Sequence, residues 1–101
     1  MDAPLFNKES ILSKLRELMP YLKEKYHVSS LALFGSVARN EQTPESDIDL
    51  IVEFSQPIGL AFLDLADFLE EGVFKRKVDL VKRHLIREKY YQTMVEDLHY
   101  V

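Results

Sequence analysis

Apolar residues recur at helical spacing early in the chain and at strand spacing in its middle. Ile11, Leu12, Leu15, Leu18, Met19 and Leu22 fall three or four positions apart, which predicts a helix over 8–26 with one face toward a core. Asn7 stands where an N-terminal cap belongs. Pro20 interrupts this pattern, and its missing N–H predicts a kink or a split near Met19. Residues 30–34 form a short, mostly apolar run that ends at Gly35, which suits a strand stopped by a tight turn. A short helix is expected over 36–40, then a polar loop over 41–46 containing Pro44. The alternation over 47–54 is the clearest strand signal. Ile48, Leu50, Val52 and Phe54 share one face; Asp47, Asp49, Ile51 and Glu53 share the other. A connection over 55–59 leads to a helix predicted over 60–71, with Phe62, Leu65, Ala66 and Leu69 inward and Gly72 as its stop. A third strand is expected over 77–81. A last helix over 84–98 would carry Ile86, Tyr90, Met94 and Leu98 as its apolar stripe.

Helix, strand, short helix, strand, helix, strand, helix is an α/β order, with helices packed on a small sheet. The pattern fixes neither strand directions nor strand order. With 101 residues, of which 47% are apolar, one domain with one core is expected over 1–101. The net charge of −4 argues against broad electrostatic binding of nucleic acid, yet leaves a metal-complexed nucleotide open. Cysteine is absent, which excludes disulfides and thiolate zinc sites. The histidines, His27, His84 and His99, show no metal-binding spacing. The first residues have no basic flank before a long apolar stretch, and no run is long enough to span a bilayer, so a cytoplasmic setting is expected.

Candidate chemistry sits between residues 35 and 81. If a strand ends at Phe34 and a helix starts near Ser36, the backbone N–H groups at that bend can receive a phosphate. Gly35 would allow close approach, and Ser36 would add a hydroxyl donor. A plain turn with a capping serine is the competing account. Asp47 and Asp49, two apart on a strand, project from one face as a pair of oxygen ligands suited to Mg²⁺. A solvent-facing strand edge explains Glu53 well, and this aspartate pair less well, because aspartate is depleted in strands. Asp79 interrupts a further apolar strand. Beside the first pair it would complete three carboxylates able to hold two Mg²⁺ ions for displacement at phosphorus, and it could take a proton from an attacking hydroxyl. Alone, it would be an edge charge paired with Lys77 or Arg76.

Gly35-Ser36, then Arg39 and Glu41, then Ser46-Asp47-Ile48-Asp49-Leu50 resemble the signature of the DNA polymerase β-like nucleotidyltransferases, and most closely their minimal stand-alone branch, the MNT domains. The likeness runs from Leu31 to Val81. It implies a polymerase β-like palm with a small mixed sheet, and ATP as the nucleotide donor. Gly35 and Ser36 would hold the β- and γ-phosphates, Asp47 and Asp49 would bind both metals, and Asp79 would be the third catalytic carboxylate. Arg39 would lie near the site, in contact with phosphate or in a surface pair with Glu41 or Glu45. Ser46 would face the nucleotide or fix the loop through local backbone bonds. Many relatives have glycine after the arginine; this chain has Asn40, a residue that tolerates a left-handed backbone.

The resemblance also implies a partner. Stand-alone MNT proteins are often paired with HEPN-domain ribonucleases, and the MNT member acts as antitoxin by transferring AMP to a tyrosine of the toxin. A short chain has little left to build its own pocket for a small acceptor, which fits an acceptor carried by another protein. Aminoglycoside-type transfer to a small molecule and neutralisation by binding alone are the alternatives. A second copy of the chain is a further partner that the sequence leaves open. Tyr90, Tyr91 and Tyr100 could contact a partner or pack inward. Lys75-Arg76-Lys77 and Lys82-Arg83 could steer an anion or border a strand in solvent.

Overall fold

An asparagine cap starts the first helix. In the computed structural model, which describes residues 7–101, Asn7 Oδ1 accepts from the Ser10 backbone N–H at 2.9 Å, and Ser10 Oγ accepts from the Asn7 N–H at 3.4 Å. The expectation that residues 1–6 hold no leader lies outside the described residues. Helix α1 (Lys8–Tyr26) buries Ile11, Leu12, Leu15, Leu22 and Tyr26, while Leu18 and Met19 pack half-buried against the same core. Of the kink or split expected at Pro20, the split does not occur: α1 runs through that residue as one helix. Pro20 and Arg16 are both exposed, so water can take the Arg16 carbonyl that the proline leaves unpaired. His27 then turns left-handed (φ 59°) and closes the helix.

Strand β1 (Val28–Phe34) leads into the short helix α2 (Gly35–Ala38), and the 41–46 loop leads into β2 (Ile48–Phe54). Helix α3 (Ala61–Asp67) passes without a break into π-helical turns over Phe68–Phe74. Gly72 does not end it. Lys75 does, in the left-handed conformation (φ 53°). Strand β3 (Val78–Lys82) comes next. The expected long last helix is instead a 3₁₀ turn (Arg83–Leu85), a short α4 (Glu88–Met94), a second 3₁₀ turn (Val95–Asp97) and a two-residue strand, β4 (His99–Tyr100). No residue of α4 is buried, so its apolar stripe had no core to hold it in a longer helix.

The sheet has four strands in the order β3-β2-β1-β4. β1 pairs antiparallel with β2 and β4, and β2 pairs parallel with β3, so the sheet is mixed. Leu31, Leu33, Ile48, Leu50, Val52 and Val78 join α1 and α3 in the core. By strand alternation the opposite face carries Phe34, Asp49 and Asp79 in one row and Ala32, Ile51, Val81 and Tyr100 in the next. No helix among the described residues is long and apolar enough to cross a membrane.

Candidate active site

The register of the sheet gathers the candidate residues. Asp49 pairs with Phe34 on one side and with Asp79 on the other. Residues paired across parallel strands point the same way, so the Asp49 and Asp79 carboxylates stand side by side. Asp47 sits one residue before β2, at the end of the 41–46 loop. Asp47 and Asp49 are half-buried, and Asp79 is exposed. Opposite them β1 ends, and Gly35 takes φ +81°. A Cβ built on Gly35 would collide with the Asp49 carboxylate; Asp49 Cγ and Cβ lie only 3.1 and 3.3 Å from that position. Only glycine lets the bend lie against the acid, on both conformational and steric grounds.

The electrostatics are those of a crowded anionic cluster. Burial, then the Asp79 and Asp47 charges, push the Asp49 carboxyl from 3.8 up to about 6, and the Arg39 guanidinium pulls the other way. Among the described residues no three acidic or histidine side chains close into a preformed metal cage. Like charges repel, and the three carboxylates share a neighbourhood without converging on a point. Their chemistry still fits Mg²⁺: the donors are hard carboxylate oxygens, and the missing Cβ of Gly35 makes room for the Asp49 carboxylate against the bend.

The other predicted residues are placed as follows. Arg39 Nε donates to Glu41 Oε1 at 3.0 Å, and its Nη1 lies 3.8 Å from Asp97 Oδ2. Ser36 is half-buried beside Gly35. Ser46 Oγ accepts from the Thr43 N–H at 2.8 Å, and the Ser46 N–H donates to the Thr43 carbonyl at 3.0 Å, so this hydroxyl ties the loop. Asn40 is left-handed at φ 59°, as its tolerance for that conformation allows.

Two residues support the site in a role that the sequence does not signal. Arg76 Nη1 donates to the Pro44 carbonyl at 2.7 Å and to the Ser46 carbonyl at 3.5 Å. Glu70 Oε1 accepts from the Val78 N–H at 3.0 Å, and the Ile48 N–H donates to the Lys77 carbonyl at 3.0 Å. The loop that delivers Asp47 and the strand that delivers Asp79 are thereby stapled together. Arg76 belongs to this staple rather than to a solvated strand border. Its partners lie some thirty positions back in the chain, a separation no local pattern reveals.

The sequence pattern of the nucleotidyltransferase domain matches residues 15–99. The chain belongs to the nucleotidyltransferase family. It is 49% identical over 86% of its length to MJ0128 of Methanocaldococcus jannaschii, provisionally named a protein adenylyltransferase, and covers 90% of that protein. It is 32% identical over 92% of its length to the protein adenylyltransferase MntA of Thermococcus cleftensis, and covers 94% of it. Among solved structures, a chain from a mutant toxin–antitoxin complex, MntA-HpeT, superposes with a TM-score of 0.63 at 26% identity, over 96% of this chain and 72% of that one. The nucleotidyltransferase resemblance read from Gly35-Ser36 and Asp47-Ile48-Asp49 is therefore correct, and so is the small mixed α/β fold it implied.

Proposed function

We propose that this nucleotidyltransferase moves AMP from ATP to a hydroxyl of a partner protein, a tyrosine of a HEPN-type ribonuclease toxin, and so serves as its antitoxin. The adenylyltransferase relatives and the MntA-HpeT neighbour support the class of acceptor and partner. The observation that supports the chemistry most is the in-register pair Asp49–Asp79 against the bare face of Gly35. In this reading Gly35 and Ser36 receive the β- and γ-phosphates, with Arg39 adding positive charge at the bend. Asp47, Asp49 and Asp79 would hold Mg²⁺, which when bound neutralises phosphate charge and polarises the phosphorus centre. Asp79 is the exposed one of the three acids, which supports its meeting an acceptor from solvent. It accepts the hydroxyl proton and passes it to water as the acceptor oxygen bonds to the α-phosphorus. The bond from that phosphorus to the β-phosphate oxygen breaks, and pyrophosphate leaves.

The test combines purified chain, Mg²⁺, labelled ATP and the product of the neighbouring gene. The expected result is label on that product and a mass gain of one or more AMP groups. Asp47→Asn with Asp49→Asn should abolish both. A partner that stays unlabelled, with ATP unbound, would overturn the proposal. If the double variant bound the toxin and still neutralised it in cells, occlusion rather than transfer would be the mechanism.

A further inference from the structure

A cavity of about 290 Å³ opens beside Gly35, between the β1–α2 bend and the C-terminal segment. Phe34, Gly35 and Arg39 form one wall; Thr93, Met94 and Asp97 form the other. We propose that this cavity takes the nucleoside half of the nucleotide and that the Asp97 carboxylate accepts hydrogen bonds from its ribose hydroxyls. This rests on the nucleotide-transfer function proposed above.

The lining sorts the parts of a nucleotide. A carboxylate repels phosphate and offers only acceptor oxygens, so Asp97 suits a neutral group rich in donors. Ribose hydroxyls are such a group, and a carboxylate on them is a recurrent solution in nucleotide sites. Phe34 and Met94 give the cavity a flat aromatic face and a polarisable one, both suited to a base. The Thr93 hydroxyl already donates to the Tyr90 carbonyl at 2.7 Å, so toward a ligand it can only accept, as an amino group on a base would require. Gly35 touches both this cavity and the Asp49 carboxylate. A nucleotide whose phosphates rest on the Gly35 bend beside the acids therefore has this cavity next to it. The Asp97–Arg39 pair is long at 3.8 Å, and both side chains are 42% exposed, which leaves Asp97 free to take other donors.

A larger cavity of about 640 Å³, lined in part by Glu53, Lys82 and Arg83, suits the nucleoside less well. It lies four residues further along β2 and β3, about 13 Å from Asp49 and Asp79. Its cations are engaged: Lys82 Nζ stands 4.7 Å over the Phe62 ring, and Arg83 is 3.2 Å from Glu88 and 3.5 Å over the Tyr91 ring.

The experiment measures binding of ATP, 2′-deoxyATP, 3′-deoxyATP and inorganic tripolyphosphate to the full chain in Mg²⁺. The native chain should prefer ATP to at least one deoxy analogue by about tenfold. Asp97→Ala should bring that ratio close to one by weakening ATP, and leave tripolyphosphate unchanged. Glu41→Gln, which removes the other partner of Arg39, should keep the ratio, so the effect cannot come from a released arginine. Met94→Trp should weaken ATP at least tenfold without touching tripolyphosphate. ATP binding with a ratio that Asp97→Ala leaves alone would overturn the role of Asp97. Full ATP affinity in Met94→Trp would overturn the cavity assignment. Failure of the native chain to bind either ATP or tripolyphosphate would instead overturn the transfer function itself.

Discussion

Removing the Asp49 charge should stabilise the metal-free protein while destroying the proposed activity. The fold raises the Asp49 carboxyl from 3.8 to about 6, so the folded state prefers this group neutral. For a group raised in this way, the penalty is absent below the unfolded value. It grows as pH climbs through the window from 3.8 to about 6, and it is complete at pH 7. The full displacement corresponds to about 3 kcal/mol, which is a ceiling. Water reaches a half-buried carboxylate and screens it, so about 1 kcal/mol is the expected size. Asp49→Asn removes the titrating proton at nearly constant shape. In chelator at pH 7 the variant should melt about 4–8 °C above the native chain, and the gap should shrink toward zero as the pH is lowered to 4. Mg²⁺ should reverse the order. At about a hundred times its dissociation constant it would add about 2.7 kcal/mol to the native chain, and far less to a variant lacking a ligand. The assay is thermal unfolding at pH 4 and pH 7, with chelator and with Mg²⁺. A gap that is absent at pH 7, or that does not change with pH, would refute the electrostatic account of the cluster.

Three further outcomes follow from the same geometry. Gly35→Ala should lower stability by about 1–2 kcal/mol from the left-handed backbone alone, with more from the collision with Asp49, and should abolish ATP binding; unfolding and calorimetric titration report the two effects. Arg76→Met should cut the transfer rate about tenfold with KM for ATP nearly unchanged, because it loosens the loop that delivers Asp47 rather than removing a ligand, and Arg76→Lys should recover part of the loss. Asn40→Gly should leave stability within a few tenths of a kcal/mol of native, whereas Asn40→Val, forced to the same φ of 59°, should cost about 1–2 kcal/mol in urea unfolding.

Local chemistry explains what could be read from the chain before its fold. Period-two alternation over 47–54 assigned Leu50 and Val52 to the core face and Asp49 to the other, because a strand at a buried sheet admits only one register. The cap at Asn7 and the stripe of α1 were equally legible, since both depend on residues within one turn of each other. Long-range pairing was hidden. Nothing within residues 77–81 states that Asp79 lies beside Asp49; the parallel register decides it. Ile86, Tyr90, Met94 and Leu98 keep a helical period, which by itself predicts one helix for the C-terminal segment. That period carries energy only against a core, and α4 has none. The two-residue β4 is too short to leave a pattern of its own.

Stability and the proposed function pull in opposite directions at this end of the sheet, and the supporting contacts are placed where that conflict is greatest. Three carboxylates crowded on one face disfavour the folded chain at neutral pH unless a cation joins them. Left alone, repulsion would be relieved by moving the two segments with no rigid strand behind them: the loop before Asp47 and the turn before Asp79. Those are the segments that Arg76 and Glu70 hold. Arg76 reaches back to the Pro44 and Ser46 carbonyls, and Glu70 accepts from the Val78 N–H. The hydrogen bonds of the staple resist the electrostatic push, so the acids remain neighbours before any ligand arrives. Under the proposed function, a site held apart by charge and together by backbone contacts would suit a cation and its nucleotide, since each positive charge that enters would relieve repulsion already present in the folded chain.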